Sequence, residues 1–223
     1  MISYVITMLN NSKSVDASER CIKSANKFGY DPFVFKAITP EDNPIEIFKK
    51  ENLPLDKFKT DSRYSKLEPC MCCFLSHREL WKKSVQSGNG ILVLEHDAVF
   101  TNKIEVDPRD NTILDNKYGV IGINDPRGAT RKSHVYHTLI CESRWPVQRV
   151  PQIDDVMIPQ GLAGNSAYII KPWAAKKVIQ KVKEIGAWPN DALLCYQIFG
   201  IAFLGVTKKY YTRVQGLPST TTL

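Results

Sequence analysis

No apolar run in this chain approaches the roughly 20 residues that a membrane-spanning helix requires. The longest, residues 198–206, is interrupted by two glycines. The first residues lack the basic n-region of a secretory signal and read as a strand that begins at once, so the chain is expected in the cytoplasm. There is no internal repeat, and the only low-complexity tract is Ser219-Thr220-Thr221-Thr222. Collagen-like, coiled-coil and disordered classes are thereby excluded. Acidic residues are outnumbered, 23 Asp and Glu against 30 Lys and Arg, giving 30 − 23 = +7. The lysines are spread over several segments with no basic tail and no aromatic-basic motif, which argues against a nucleic-acid binder. They fit a solvated surface, or an anionic small substrate such as a nucleotide diphosphate. A disulfide framework is missing too. Of the six cysteines, Cys70, Cys72 and Cys73 crowd together while Cys21, Cys141 and Cys195 are scattered. Cys70 and Cys73 form a C-x-x-C with His77 four residues on, but no second pair completes a tetrahedral zinc site. Reduced thiols are the expectation.

What remains is a chain of 223 residues, 43% of them hydrophobic. That is one globular domain over residues 1–223, large enough to bury roughly 70% of its unfolded surface without a metal or disulfide staple. Residues 4–9 are β-rich, residues 10–12 are turn, and Ala17, Cys21, Ile22, Ala25 and Phe28 mark a helix that Gly29 stops. A second strand at residues 33–37 completes a β-α-β opening, which favours parallel pairing. Residues 38–66, with three prolines and many charges, read as a long connection holding one short helix. Apolar residues at three- and four-residue steps predict a helix over residues 67–85. Ile91-Leu92-Val93-Leu94 is an uninterrupted apolar run, the pattern of a strand buried on both faces. Further strands are expected at residues 118–123, 135–141 and 166–170. Helices are expected from Pro172 to residue 185 and from Pro189 to residue 199, with closing strands around Phe203-Leu204 and Tyr210-Tyr211.

The buried strand ends in Glu95-His96-Asp97. In open α/β sheets ligands bind beyond the carboxyl ends of strands. Two carboxylates one residue apart at that point suit a hard divalent cation, Mn²⁺ or Mg²⁺, which in turn neutralises a diphosphate.

The surrounding residues carry a resemblance. Cys73-Phe74-Leu75-Ser76-His77-Arg78-Glu79-Leu80-Trp81, followed by Gly90-Ile91-Leu92-Val93-Leu94-Glu95-His96-Asp97-Ala98, resembles the glycosyltransferases of family 25, with their G-C-F-L-S-H-x-x-x-W and L-E-D-D-A blocks. Gly164-Asn165-Ser166-Ala167-Tyr168-Ile169-Ile170 with Ala174-Ala175-Lys176, Trp188-Pro189-Asn190-Asp191 and Pro218-Ser219-Thr220 are similar to later family segments. His96 stands where the family has a second acid, and Met71 and Cys72 where Gly precedes the cysteine. Asn10-Asn11-Ser12 is a loose match to the family's nucleotide-binding start, and no role is carried onto it.

The resemblance implies an α/β, GT-A-like nucleotide-sugar-binding fold, with a mixed, mostly parallel sheet flanked by helices. It implies inverting, metal-dependent transfer from a nucleotide sugar, usually UDP-linked, to a hydroxyl of a glycan or protein acceptor. Glu95 and Asp97 are then the metal and donor site, Ser76 and His77 lie near the donor, and Asp191 is the catalytic base. Plainer readings stand beside these. His77 also reads as a hydrogen-bonded core imidazole, and Asp191 as a first-turn acid favoured by the helix dipole. Trp81, Trp173 and Trp188 read as core or rim, with sugar stacking as the alternative. Asp154 and Asp155 read as exposed turn residues and, failing Asp191, as the next candidates for the base. A non-catalytic glycan- or nucleotide-binding protein on the same fold is the alternative function.

Overall fold

The computed structural model describes residues 1–55, 67–104, 117–129, 132–153 and 160–218. Asp154, Asp155, Ser219 and Thr220 lie outside the described residues. The chain opens with β1 (Ile2–Thr7), α1 (Ser12–Asn26) and β2 (Phe33–Lys36). The Asn11 side chain accepts the Ser14 amide at 3.2 Å and caps α1. As the β-α-β reading requires, β1 pairs in parallel with β2. A 3₁₀ turn (Pro40–Asp42) and α2 (Pro44–Lys50) follow, then α3 (Leu67–Ser87), β3 (Ile91–Glu95) and β4 (Ala98–Phe100).

The second half contains β5 (Val120–Gly122), α4 (Ser133–Glu142), β6 (Val147–Arg149), β7 (Ala167–Ile170) and α5 (Pro172–Ile185). It closes with α6 (Asn190–Leu193), α7 (Tyr196–Phe199), β8 (Leu204–Thr207) and β9 (Thr212–Val214).

Seven strands form one sheet in the order β2-β1-β3-β7-β5-β8-β6. β7 runs antiparallel to β3 and β5, and β6 antiparallel to β8, while the other strands share one direction. This is the mixed, mostly parallel sheet flanked by helices that the resemblance implies. β3 is buried on both faces as its composition requires. Ile91 and Val93 face the layer of α3 and α5, with Phe74, Trp81 and Val178. Leu92 and Leu94 face α1 and β4, with Cys21, Ala25 and Phe100. Pairs of this kind contribute on the order of 1.5–3 kcal/mol per buried side chain.

Two expectations fail locally. Residues 135–141 form helix α4 rather than a strand, because Tyr136 and Ile140 are buried four residues apart, a helical step. The helix expected over residues 189–199 is two short turns. Cys195 leaves helical geometry between them to form a bridge with Gly161. A Cβ at Gly161 would lie 2.5 Å from the Leu194 carbonyl, so only glycine allows this approach. No disulfide links any of the six cysteines. No helix among the described residues is long and apolar enough to cross a membrane.

Candidate active site

The parallel strands β1 and β3 end at one edge of the sheet, and there a cavity of about 570 Å³ opens. Its wall includes Met8 after β1, Ile38 and Thr39 after β2, Ser76 and His77 of α3, and the Glu95-His96-Asp97 turn after β3. Gly164, Asn165 and Ser166, which lead into β7, form the opposite wall. Backbone pairing ties the walls together, since the Glu95 amide donates to the Ser166 carbonyl at 2.8 Å.

The α3 wall is a closed chain of hydrogen bonds. Trp81 Nε1–H, which can only donate, gives its hydrogen to Tyr168 Oη at 2.9 Å. Tyr168 Oη is 2.8 Å from His77 Nδ1, and His77 Nε2 is 3.1 Å from Glu95 Oε1. The Glu95 carboxylate, held below its ordinary range, can only accept, so Nε2 carries the imidazole hydrogen and donates to it, and Nδ1 is left to accept the tyrosine hydrogen. His77 and Trp81 are one helical turn apart, which brings both to the same face of α3. The His77 ring stacks on Tyr168 at 5.7 Å, and its side chain is only 1% exposed. Burial pushes the Glu95 carboxyl up, but the hydrogen bond from His77 and the electrostatic pull of the His77 and His96 rings outweigh it, leaving it below the ordinary range. Ser76 is equally committed: Oγ donates to the Cys72 carbonyl at 2.8 Å and accepts the Ile38 amide at 2.9 Å. It ties α3 to the segment leaving β2.

The other wall is the reverse. Asp97 Oδ1, both polar atoms of the Asn165 amide and Ser166 Oγ are buried with no hydrogen-bond partner among the described residues. Burial, and secondly the Glu95 charge, push the Asp97 carboxyl up to about 7. Leaving a buried polar atom unpaired costs about 1–3 kcal/mol, so a cluster of them beside a cavity marks groups placed for a ligand. Gln215 braces the acidic turn, its amide donating to the Asp97 carbonyl at 2.8 Å and its side chain to the His96 carbonyl at 3.2 Å. Arg20 Nε donates to Gln215 Oε1 at 2.7 Å and holds that brace.

The structure thus gathers Ser76, His77, Glu95 and Asp97 around one cavity, with both His77 nitrogens and the Ser76 hydroxyl hydrogen already engaged inside the protein. Asp191 is not among the cavity's lining residues. It is exposed in the first turn of α6, where Oδ1 accepts the Ala192 amide at 3.0 Å; burial is the main cause that raises the Cys70 and Cys73 thiols, and the Asp191 charge adds to it. Trp81 is core, and Trp173 and Trp188 do not line the cavity. Asn165, Ser166, Tyr168 and Gln215 received no role from the sequence. The first three lie in the Gly164-Asn165-Ser166-Ala167-Tyr168 block, so that block held the signal.

A divalent cation fits the acidic turn. Asp97 offers an unpartnered buried oxygen, and its carboxyl is raised in part by the charge of Glu95, a repulsion that a cation offsets. Cys73, His77 and Glu95 also bring ligand-type atoms within 4.8 Å of one another. That trio does not suit a metal, because both His77 nitrogens are occupied and the half-buried Cys73 thiol is held well above its usual range, protonated.

A family model described as "Glycosyltransferase family 25 (LPS biosynthesis protein)" matches residues 3–194. No curated protein sequence matches the chain. Among solved structures, the chain is similar to the galactosyltransferase LgtC in complex with donor and acceptor sugar analogues. The identity is 12% and the TM-score 0.44, over 89% of this chain and 70% of that one. It is also similar to mouse xyloside xylosyltransferase 1 in its apo form, with 9% identity and a TM-score of 0.42 over 91% and 84% of the two chains.

Proposed function

The chain belongs to glycosyltransferase family 25 and is a glycosyltransferase, and from that premise we propose that it moves a sugar from a nucleotide-sugar donor, UDP-linked, to a hydroxyl of a glycan or protein acceptor. The observation that carries this reading is the cluster of unpartnered polar atoms on Asp97, Asn165 and Ser166, lining a cavity at the carboxyl ends of parallel strands. Such groups suit a polar ligand with many hydroxyl and phosphate oxygens.

In this reading Glu95 and Asp97 hold Mn²⁺ or Mg²⁺, which when bound offsets the charge developing on the departing nucleoside diphosphate. Asn165 and Ser166 hydrogen-bond donor oxygens, and His77 fixes the Glu95 carboxylate in place. The acceptor oxygen forms its bond to the anomeric carbon from the face opposite the leaving diphosphate, with inversion, as the bond to that diphosphate breaks. Asp191 takes the acceptor proton. Its support is the likeness of Trp188-Pro189-Asn190-Asp191 to the family segment, and it stands outside the cavity wall.

The test is a screen of nucleotide sugars with Mn²⁺, with and without glycan acceptors, for release of nucleoside diphosphate. Release from one donor class is expected. Tight nucleotide binding with no release from any donor and acceptor would favour a non-catalytic binding protein. With the donor identified, Asp191→Asn should slow transfer at least about a hundredfold while donor binding and melting temperature stay near wild type. Near-normal turnover would move the base to another group.

A further inference from the structure

The opposite end of the sheet carries a second cavity, of about 630 Å³. It lies where β5 and β8 begin and β6 ends, between Lys117, Tyr118, Trp145, Gln148 and Arg149. The five residues of β3, about 16 Å of strand, separate this end from the acidic turn.

The cavity is built rather than incidental. The Tyr118 ring lies over Gly205, where a Cβ would come within 2.7 Å of the ring, so glycine is what seats it. Gln148 Nε2 donates to the Ile140 carbonyl at 2.9 Å and fixes the β6 edge against α4. Each aromatic ring carries a cation: Lys117 Nζ stands 5.5 Å from the Tyr118 ring, and the Arg144 guanidinium 4.9 Å from the Trp145 ring. Lys208 Nζ donates to the Ser143 carbonyl at 2.6 Å and adds a further charge. Among the described residues no carboxylate lines the cavity, and Lys117, Arg144 and Arg149 make no ion pair. Trp145 is 58% exposed.

Isolated surface cations are ordinarily just solvated. Charges of one sign around a concavity instead focus the potential and concentrate anions. A guanidinium takes carboxylate or phosphate oxygens in pairs. An indole more than half exposed beside it offers flat apolar surface of the kind that packs against the C–H face of a sugar ring. We propose that this cavity is a second saccharide site, specific for a sugar chain bearing carboxylate or phosphate groups and separate from the donor cavity. It rests on the reading that the chain handles glycans. A glycan seated there is held away from the reacting centre, so the site tethers its ligand rather than presenting a hydroxyl for transfer.

The experiment titrates the full chain with a galacturonate tetramer, a glucose bisphosphate and neutral maltotetraose, following tryptophan fluorescence and backbone amide shifts. A parallel arm sediments the chain with vesicles of phosphatidylglycerol and phosphatidylcholine. Saturable binding of an anionic sugar, weaker binding of maltotetraose and shifts at residues 117–118 and 145–149 are expected. Arg149→Ala and Trp145→Ala should each weaken anionic-sugar binding about tenfold, roughly 1.4 kcal/mol, and leave UDP binding unchanged. Failure of both anionic sugars to bind overturns the proposal. So does undiminished binding by Trp145→Ala, which would mean a surface that reads charge alone, or binding to vesicles without binding to either sugar. UDP binding is measured separately on the same protein, so a failed donor site and a failed second site give different patterns.

Discussion

The two walls of the donor cavity are built on opposite principles. On the α3 side Trp81 Nε1, Tyr168 Oη, both His77 nitrogens and Glu95 Oε1 are joined in one run of hydrogen bonds, buried as far as the half-buried Glu95. On the side of Asp97, Asn165 and Ser166, buried polar atoms stand without partners and one carboxyl is pushed up to about 7. The first wall gains stability from its hydrogen bonds and is rigid in consequence. The second forgoes stability so that its atoms can bind something else, the trade expected between a scaffold and the site it supports. Glu95 and Asp97, one residue apart, fall on opposite sides of this division because only Glu95 reaches His77.

The largest test of the contrast is Asp97→Asn. Removing the charge should lower transfer by about 10²–10³-fold, the range for losing a preorganised electrostatic group, and should abolish Mn²⁺-dependent UDP binding by calorimetry. Without metal the variant should melt no lower than wild type, since an unfavourable buried carboxylate has been removed. A variant that melts several degrees lower would place Asp97 with the scaffold.

Tyr168→Phe attacks the other wall. It strands the Trp81 indole N–H and His77 Nδ1, each at a cost of about 1–3 kcal/mol, so a loss of roughly 2–4 kcal/mol is expected in urea denaturation with little change in m. A loss under about 0.5 kcal/mol, within the range of ordinary surface substitutions, would show that the chain of hydrogen bonds is not structural.

Asn165→Ala should give the mirror image, unchanged or slightly raised stability with donor KM increased about 3–10-fold, the worth of one neutral hydrogen bond. A destabilised variant with normal KM would break the comparison.

A further effect is in pH. The Asp97 carboxyl is raised from 3.8 to about 7 on folding, so in EDTA its contribution to stability is fully present below pH 3.8 and is lost as pH rises towards 7. Glu95, held below its ordinary range, contributes with the opposite sign, its share lost as pH falls through its depressed value. Melting temperatures from pH 4 to 7 should therefore fall less steeply for Asp97→Asn than for wild type. Parallel curves would remove Asp97 as their cause.

Local pattern alone carried much of the architecture. The apolar run Ile91-Leu92-Val93-Leu94, four residues bounded by a Gly-Asn-Gly turn and polar residues, fits a buried strand, and its carboxyl end placed Glu95 and Asp97 at the ligand edge of a sheet whatever its exact order. Pattern failed at residues 135–141, where β-prone side chains fold as a helix because only Tyr136 and Ile140 find a core to face. It failed again at Cys195, where pairing with Gly161 overrode helical continuity.

For the site, residue types and the blocks around them pointed to Ser76, His77, Glu95 and Asp97, but not to the hydrogen bonds that each makes. Whether a histidine is a strut or a donor ligand depends on which atoms lie 3 Å from its nitrogens. For His77 those atoms belong to Tyr168 and Glu95, 91 and 18 residues away. Likewise Asn165 is an ordinary turn residue in the linear chain. It becomes a candidate ligand group only because folding buries its amide and supplies no partner. Hydrophobic period is a local property and can be read along the chain, whereas hydrogen-bond satisfaction is a property of neighbours that only packing brings together.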